Sequence, residues 1–301
     1  MKPDAIAQAL AAAIEEASAS RFEVRSMEPV HGGCIHSAFK LSGEIPGGKR
    51  RYFAKVNHAE KAQLLACEAE GLRALGEAHA LAVPEVVAQG HDLERAWLVL
   101  EWLDLAPLDA KSGARLGAAL AAQHRLPQAR FGWTRDNFIG ATAQLNGWAD
   151  DWAEFWRAQR LHAQLRLAAH HRLPSRMIDR GERLTADCEL FFRNYHPEKS
   201  LLHGDLWGGN AAACQDGKAV AFDPAVYVGD READLAMTEL FGGFPPDFHA
   251  AYRAAWPLDE GYRGRRELYN LYHLLNHANL FAGGYVRQAE QAIERLLAEI
   301  G

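Results

Sequence analysis

The segment Leu201-Leu202-His203-Gly204-Asp205-Leu206-Trp207-Gly208-Gly209-Asn210 carries a carboxylate and a carboxamide on one loop, and the apolar run Ala219-Val220-Ala221-Phe222 leads from it to a second acid at Asp223-Pro224. Phosphoryl transfer asks a protein for a carboxylate that accepts the attacking hydroxyl's proton and for oxygen ligands that hold Mg²⁺ against a polyphosphate. On that logic Asp205 is the base, Asn210 and Asp223 hold the metal, and His203 supports the loop from within. Each dipeptide alone is an ordinary turn former. The shared loop and the intervening strand are what assign chemistry to the set. A zinc site from His203, Asp205 and Cys214 fits no usual ligand spacing.

The five-residue step from Asp205 to Asn210 matches the catalytic-loop spacing H-R-D-x-x-x-x-N of protein kinases, with Gly204 in the place of the arginine. A site of that kind needs a lysine on the α/β-phosphates, and Lys55 stands at the end of the strand-like run Arg51 to Val56. A lone strand-end lysine is normally just solvated, so a partner decides. Leu64, Glu68, Leu72 and Leu75 fall on one helical face, where a carboxylate is costly unless paired. Glu70 points about 200° away from it, which leaves Glu68 as the partner of Lys55. Upstream, Gly32, Gly33 and Cys34 sit between two strands where backbone amides could cradle phosphates, although a plain hairpin turn is the alternative. Trp97 to Leu103 leads into a hinge whose backbone groups, at Glu101 and Leu103, are expected to hold adenine. ATP and Mg²⁺ are the expected cofactors.

The elements that must position these residues read β-β-β-α-β-β from Phe22 to Leu100, with strands at 22–30, 38–41, 52–56, 83–87 and 97–100 and a helix over 59–76. From Lys111 the pattern is almost wholly helical: 111–125, 148–170, 175–193, 234–241, 247–256 and 262–299, interrupted by a strand-like pair around 201–223. The fold class is therefore α+β and bilobal, protein-kinase-like. A nucleotide-binding lobe is expected over 1–103, with the hinge near 100–105, and a catalytic and acceptor-binding lobe over 104–301. The net charge of −6, with Lys and Arg scattered, gives no footprint for nucleic acid. No stretch is apolar and long enough to span a membrane. The N-terminal stretch, with Glu15 and Glu16 in its apolar run, reads as a helix rather than a signal peptide. The four cysteines follow no disulfide or metal-ligand pattern, so a reducing cytoplasm is the expected address.

With these residues in view the chain resembles the fructosamine kinase (ketosamine 3-kinase) family, within the wider group of aminoglycoside and choline kinases. The likeness runs through Gly32-Gly33-Cys34-Ile35, Phe53 to Asn57, Asp136-Asn137-Phe138-Ile139-Gly140, Asp151 to Leu165, the HGDLWGGN loop, Asp223-Pro224-Ala225, and Arg231 to Phe244. The resemblance implies ATP-dependent phosphorylation of the 3-hydroxyl of ketosamines, and hence deglycation, with a free or protein-bound ketosamine as the partner. It implies that Asp234 braces the catalytic-loop backbone, a role compatible with capping the next helix. Trp207 either stacks on the acceptor or packs its own loop. Ala143 stands where the family commonly has Pro, and Val228 where it commonly has Tyr, so acceptor choice is the open property; the Tyr227 loop is expected to border it.

Aminoglycoside-type kinases would want an acidic acceptor face, and the acceptor loops offer only Asp230, Glu232 and Asp234. A pseudokinase regulatory module would have lost the base or the metal ligands, which are all present. His273 and His277 read as ordinary helix packing. Cys34 is either a redox-sensitive thiol on the phosphate loop or a small buried residue, and the expected assembly is a monomer or a redox-dependent dimer.

Overall fold

The computed structural model describes residues 3–30 and 35–301. Helix α1 (Pro3–Ser18) leads into strands β1 (Glu23–Val30), β2 (Ser37–Ile45) and β3 (Gly48–His58), and helix α2 (Ala62–Glu77) precedes β4 (Val86–His91) and β5 (Arg95–Glu101). These strands form one antiparallel sheet in the order β1-β2-β3-β5-β4, with β3 at its centre. Side chains alternate across a strand, so the two faces of β3 have different neighbours. Ala54 and Val56 pack against Ile6, Leu10 and Ile14 of α1. Phe53 turns the other way, toward Leu65 and Leu72 of α2 and Leu98 and Leu100 of β5. Lys55 lies opposite Leu98 in register and so shares the α2 face. The pleat alone therefore aims the lysine at the helix that carries Glu68.

A short strand β6 (Leu105–Ala106) follows the sheet, then α3 (Ala110–His124). The start of α3 is fixed by a capping box, Asp109 accepting from the Ser112 N–H at 2.7 Å and Ser112 Oγ accepting from the Asp109 N–H at 2.9 Å. Strands β7 (Asn137–Ile139) and β8 (Thr142–Gln144) form a tight hairpin. Helix α4 (Trp152–Trp156) passes through a π-helical turn, Arg157–His162, into α5 (Ala163–His170), and α6 (Ser175–Ala186) packs alongside. The catalytic segment follows as β9 (Lys199–Leu202), β10 (Ala211–Cys214), β11 (Ala219–Ala221) and β12 (Tyr227–Asp230). Strands β11, β10 and β6 make one small sheet, β12 and β9 another. The chain closes with α7 (Glu232–Leu240), α8 (Pro246–Ala255), α9 (Tyr262–Phe281) and α10 (Gly284–Ile300). Around Trp152, Trp156, Tyr269 and Leu275 these helices bury the largest core of the molecule.

The mixed N-terminal sheet and helical remainder agree with the α+β, protein-kinase-like expectation, with four corrections. The helix expected over 262–299 breaks at Ala282 and Gly283, both at positive φ (53° and 59°), and α10 turns back along α9. The strand expected at 83–87 is centred later, at β4, because Pro84 cannot donate to a ladder. The helix expected from 148 starts at Trp152, where Asp151 caps it by accepting from the Glu154 N–H at 2.7 Å. The helix expected over 175–193 ends at Ala186 and gives way to a 3₁₀ turn, Cys188–Phe192. No helix among the described residues is long and apolar enough to cross a membrane.

Candidate active site

Gly204 sits at φ 82°, and a Cβ there would come 2.0 Å from the Ala225 carbonyl oxygen, so only glycine lets the Asp205 loop lie against the Asp223-Pro224-Ala225 turn. The loop beyond it winds into a 3₁₀ turn, Gly208–Asn210. Its geometry carries Asn210 back to Asp205: the Asn210 amide donates to the Asp205 carbonyl at 2.9 Å, to Asp205 Oδ2 at 3.3 Å and to the Asp223 carbonyl at 3.4 Å. With its nitrogen so committed, Asn210 Oδ1 accepts no hydrogen bond among the described residues. Asp223 is itself at φ 57°, a left-handed conformation that costs a non-glycine residue about 1–2 kcal/mol.

Lys55 closes the set from the sheet. Its Nζ donates to Glu68 Oε1 at 2.8 Å and to Asp223 Oδ1 at 2.5 Å. Burial works against the Lys55 charge, but the carboxylates of Glu68 and then Asp223 more than offset it and hold its pKa above the ordinary lysine value. Helix α2 reaches the Asp223 turn because Gly71 faces it: a Cβ at Gly71 would lie 3.2 Å from both Pro224 and Val226. Asp205 is pushed up to about 7, first by burial and then by the charge of Asp223. A carboxylate poised there suits a general base working near neutral pH.

The loop is braced from below by one buried acid on α7. Asp234 accepts from the His203 N–H at 2.7 Å, from the Gly204 N–H at 2.8 Å and from His124 Nε2 at 3.1 Å. Burial would raise its pKa, and these bonds, led by that from His124, keep it below the ordinary carboxylate value. His203 is fully buried, its Nε2 donating to the Phe222 carbonyl at 3.0 Å and its Nδ1 accepting from the Asp205 N–H at 3.3 Å. Burial lowers its pKa and keeps it neutral. Asp234 does not cap α7 with its side chain; the capping position is Arg231.

Lys55, Glu68, Asp205, Asn210 and Asp223 thus meet across the sheet and the helical region. The fructosamine kinase family profile matches residues 6–299. The chain belongs to the fructosamine kinase family. A probable ketoamine kinase from Synechocystis sp. is 41% identical, over 96% of this chain and 96% of its own length. Another from Vibrio cholerae is 42% identical, over 92% of this chain and 94% of its own. The solved structure of a candidate fructosamine-3-kinase from Thermobifida fusca superposes with a TM-score of 0.84 at 30% identity, covering 96% of this chain and 98% of that one. The protein is a kinase.

Other expected positions in this family member fall elsewhere. Tyr227 is 2% exposed, its ring stacked near Phe155 and 4.0 Å from the Arg160 guanidinium, so its side chain lies in the core beneath the loop and not on a cleft wall. Trp207 is 40% exposed and meets Phe241 edge-on at 6.5 Å. Glu101 spends its N–H on the Glu85 carbonyl and its carboxylate on the Glu85 N–H, both at 3.0 Å, while Leu103 is half-buried with no backbone partner among the described residues. Gly32, Gly33 and Cys34 lie outside the described residues.

Two features went unassigned in the sequence. Asn57 donates to the Ile35 carbonyl and to His36 Nδ1, both at 2.9 Å, tying the residues just before β2 to the lysine strand. His36 is lowered to about 4 by burial and then by Lys55. Beneath the Asp223 turn, Asn137 donates to the Val226 carbonyl at 2.7 Å and Gln144 to the Ala225 carbonyl at 3.0 Å, with Asn146, Arg160 and Tyr272 completing the buried network. The signal available was a set of amide side chains, Asn137 and Gln144 on strands too short to show a period and Asn146 just beyond them.

Proposed function

We propose that the chain transfers the γ-phosphoryl group of ATP to the 3-hydroxyl of a ketosamine, with deglycation as the consequence. The observation that carries the reading is the convergence of Asp205, Asn210, Asp223, Lys55 and Glu68 in one cleft, in a chain whose relatives over nearly all its length are probable ketoamine kinases. Asp205 would accept the hydroxyl proton as the oxygen attacks, and Lys55, kept cationic by Glu68, would lie on the α/β-phosphates. Glu101 and Leu103 at the hinge are proposed to hold adenine through their backbone groups, and the Gly32-Gly33-Cys34 loop to cover the phosphates. Trp207, beside Asp205 and open to solvent, is proposed to stack on the acceptor.

Mg²⁺ fits the donor set: Asp223 and the uncommitted Oδ1 of Asn210 are hard oxygen ligands, and among the described residues no cluster of three or more His, Cys, Asp or Glu offers a closed protein cage. Two protein oxygens, with phosphates and water filling the rest, is the usual manner of holding this ion. When bound it would neutralise phosphate charge. Phosphate on O3 is also a far better leaving group than hydroxide: once a C1 proton is lost to give the 1,2-enaminol, phosphate departs from C3 with its bonding pair, and water hydrolyses the resulting C1 imine to release the amine.

The acids that could have made a polycation site are turned inward. Asp230 accepts from Tyr195 and Tyr269, Glu232 from Arg265, and Asp234 from the catalytic loop. That arrangement favours a ketosamine over an aminoglycoside. The test is coupled ADP release over a panel of ribulosamine, fructosamine, erythrulosamine, kanamycin and choline. Turnover confined to ketosamines is expected; turnover of kanamycin or choline with no ketosamine activity would overturn the reading.

A further inference from the structure

Exposed hydrophobic side chains gathered into one contiguous patch mark a place where something binds, whereas scattered ones do not. Here Trp207, Phe241, Leu280, Phe281 and Ile35 are 40%, 39%, 37%, 60% and 40% exposed. From Trp207 the chain of contacts runs to Phe241 at 6.5 Å, to His277 at 5.1 Å and to Phe281 at 5.7 Å, all between ring centroids. Beside Phe281, Leu280 faces the β7–β8 turn, where a Cβ at Gly140 would lie 3.8 Å from both Leu280 and Ile35. The arc therefore starts two residues from Asp205 and ends at Ile35, two residues before β2.

Its near end is fixed. Gly242 and Gly243, at φ 72° and 97°, fold directly onto the catalytic loop, and a Cβ at Gly208 would come 2.7 Å from the Gly242 carbonyl oxygen. Only glycines allow that contact, which sets Phe241 beside Trp207. None of the five rim side chains carries a charge. His277, behind them, donates Nδ1–H to the His273 carbonyl at 2.8 Å, and burial lowers its pKa, so the rim stays neutral at pH 7.

We propose that this arc is a subsite for the carrier of the acceptor's amine, and that it selects ketosamines built on hydrophobic amines over those built on small or carboxylate-bearing ones. The proposal rests on the ketosamine reading above. In such an acceptor the protonated amine lies two carbons from the reacting hydroxyl's carbon, which puts the cation within reach of the Trp207 face once O3 is at Asp205. A hydrocarbon carrier then continues along Phe241 and Phe281 and is removed from water. A carboxylate next to the amine would be carried onto these apolar side chains and is penalised.

The experiment uses ketosamines of one sugar on methylamine, glycine and hexylamine, with kcat and KM measured for wild type, Phe241→Ser and Phe281→Ser. Wild type is expected to favour the hexylamine adduct over the methylamine adduct by about tenfold in kcat/KM, carried by KM, with the glycine adduct poorest. Each substitution is expected to bring the hexylamine-to-methylamine ratio toward one, whereas a merely structural defect would lower all adducts alike. Circular dichroism checks folding of the variants. A ratio near one in wild type, or one left unchanged by both substitutions, overturns the subsite alone. Absence of turnover with every adduct overturns the ketosamine reading and the subsite with it.

Discussion

Two buried carboxylates organise the catalytic cleft, and they do so differently. Glu68, on α2, gives its charge to one cation that reaches over from β3, and that cation also holds the half-exposed Asp223. Asp234, on α7, takes two backbone N–H groups and an imidazole, all three fully enclosed. The first is a contact between side chains that can re-pair; the second fixes backbone. Pairing on the sheet side can therefore shift if phosphates compete for Lys55 as proposed, while the loop carrying Asp205 is held by bonds within the protein alone. Preorganisation is concentrated at the residue proposed to take the proton.

The comparison breaks first at Asp234. Asp234→Ala leaves two buried N–H groups and His124 without an acceptor, and is expected to cost about 3–5 kcal/mol in urea unfolding together with nearly all activity. Unfolding within about 1 kcal/mol of wild type would show that the loop holds itself. Glu68→Gln should separate the two properties. Lys55 keeps Asp223 and the substituted amide still offers an oxygen, so stability is expected to fall by about 1–2 kcal/mol, while KM for ATP rises about tenfold. Equal losses in the two variants would erase the distinction.

A separate, pH-dependent effect comes from the helical core. His273 is lowered to about 3 from 6.5, first by burial and then by His277, and its Nδ1 has no partner among the described residues. A group whose folded pKa is depressed in this sense stays neutral in the fold and charges when unfolded. Its contribution is complete above pH 6.5 and is lost as pH falls toward 3. At pH 5 the loss is about 2 kcal/mol, and His273→Asn should flatten that part of the stability profile. Parallel profiles for wild type and variant would place the acid sensitivity elsewhere.

Glu68 was legible because a carboxylate on a leucine face must have a partner, and a lysine two residues from an apolar Phe53 on a central strand supplies one. The α+β architecture followed from the change of period after Leu100. Strands of three residues show no alternation, so the β7–β8 hairpin and its amide network, which hold the Ala225 and Val226 carbonyls, left no periodic trace. The turn between α9 and α10 had a signal, Gly283-Gly284, outweighed by the helical pattern on both sides. Tyr227 was misplaced because a loop beside a catalytic motif in sequence need not face the cleft; strand pairing of β12 with β9 turns its ring into the core.

The proton acceptor is the point on which the account stands. Asp205→Asn preserves shape while removing the base, so kcat with a ribulosamine acceptor is expected to fall about a thousandfold or more, with the Kd for ATP and the melting temperature nearly unchanged. A variant that keeps near-wild-type kcat would contradict the assignment of Asp205.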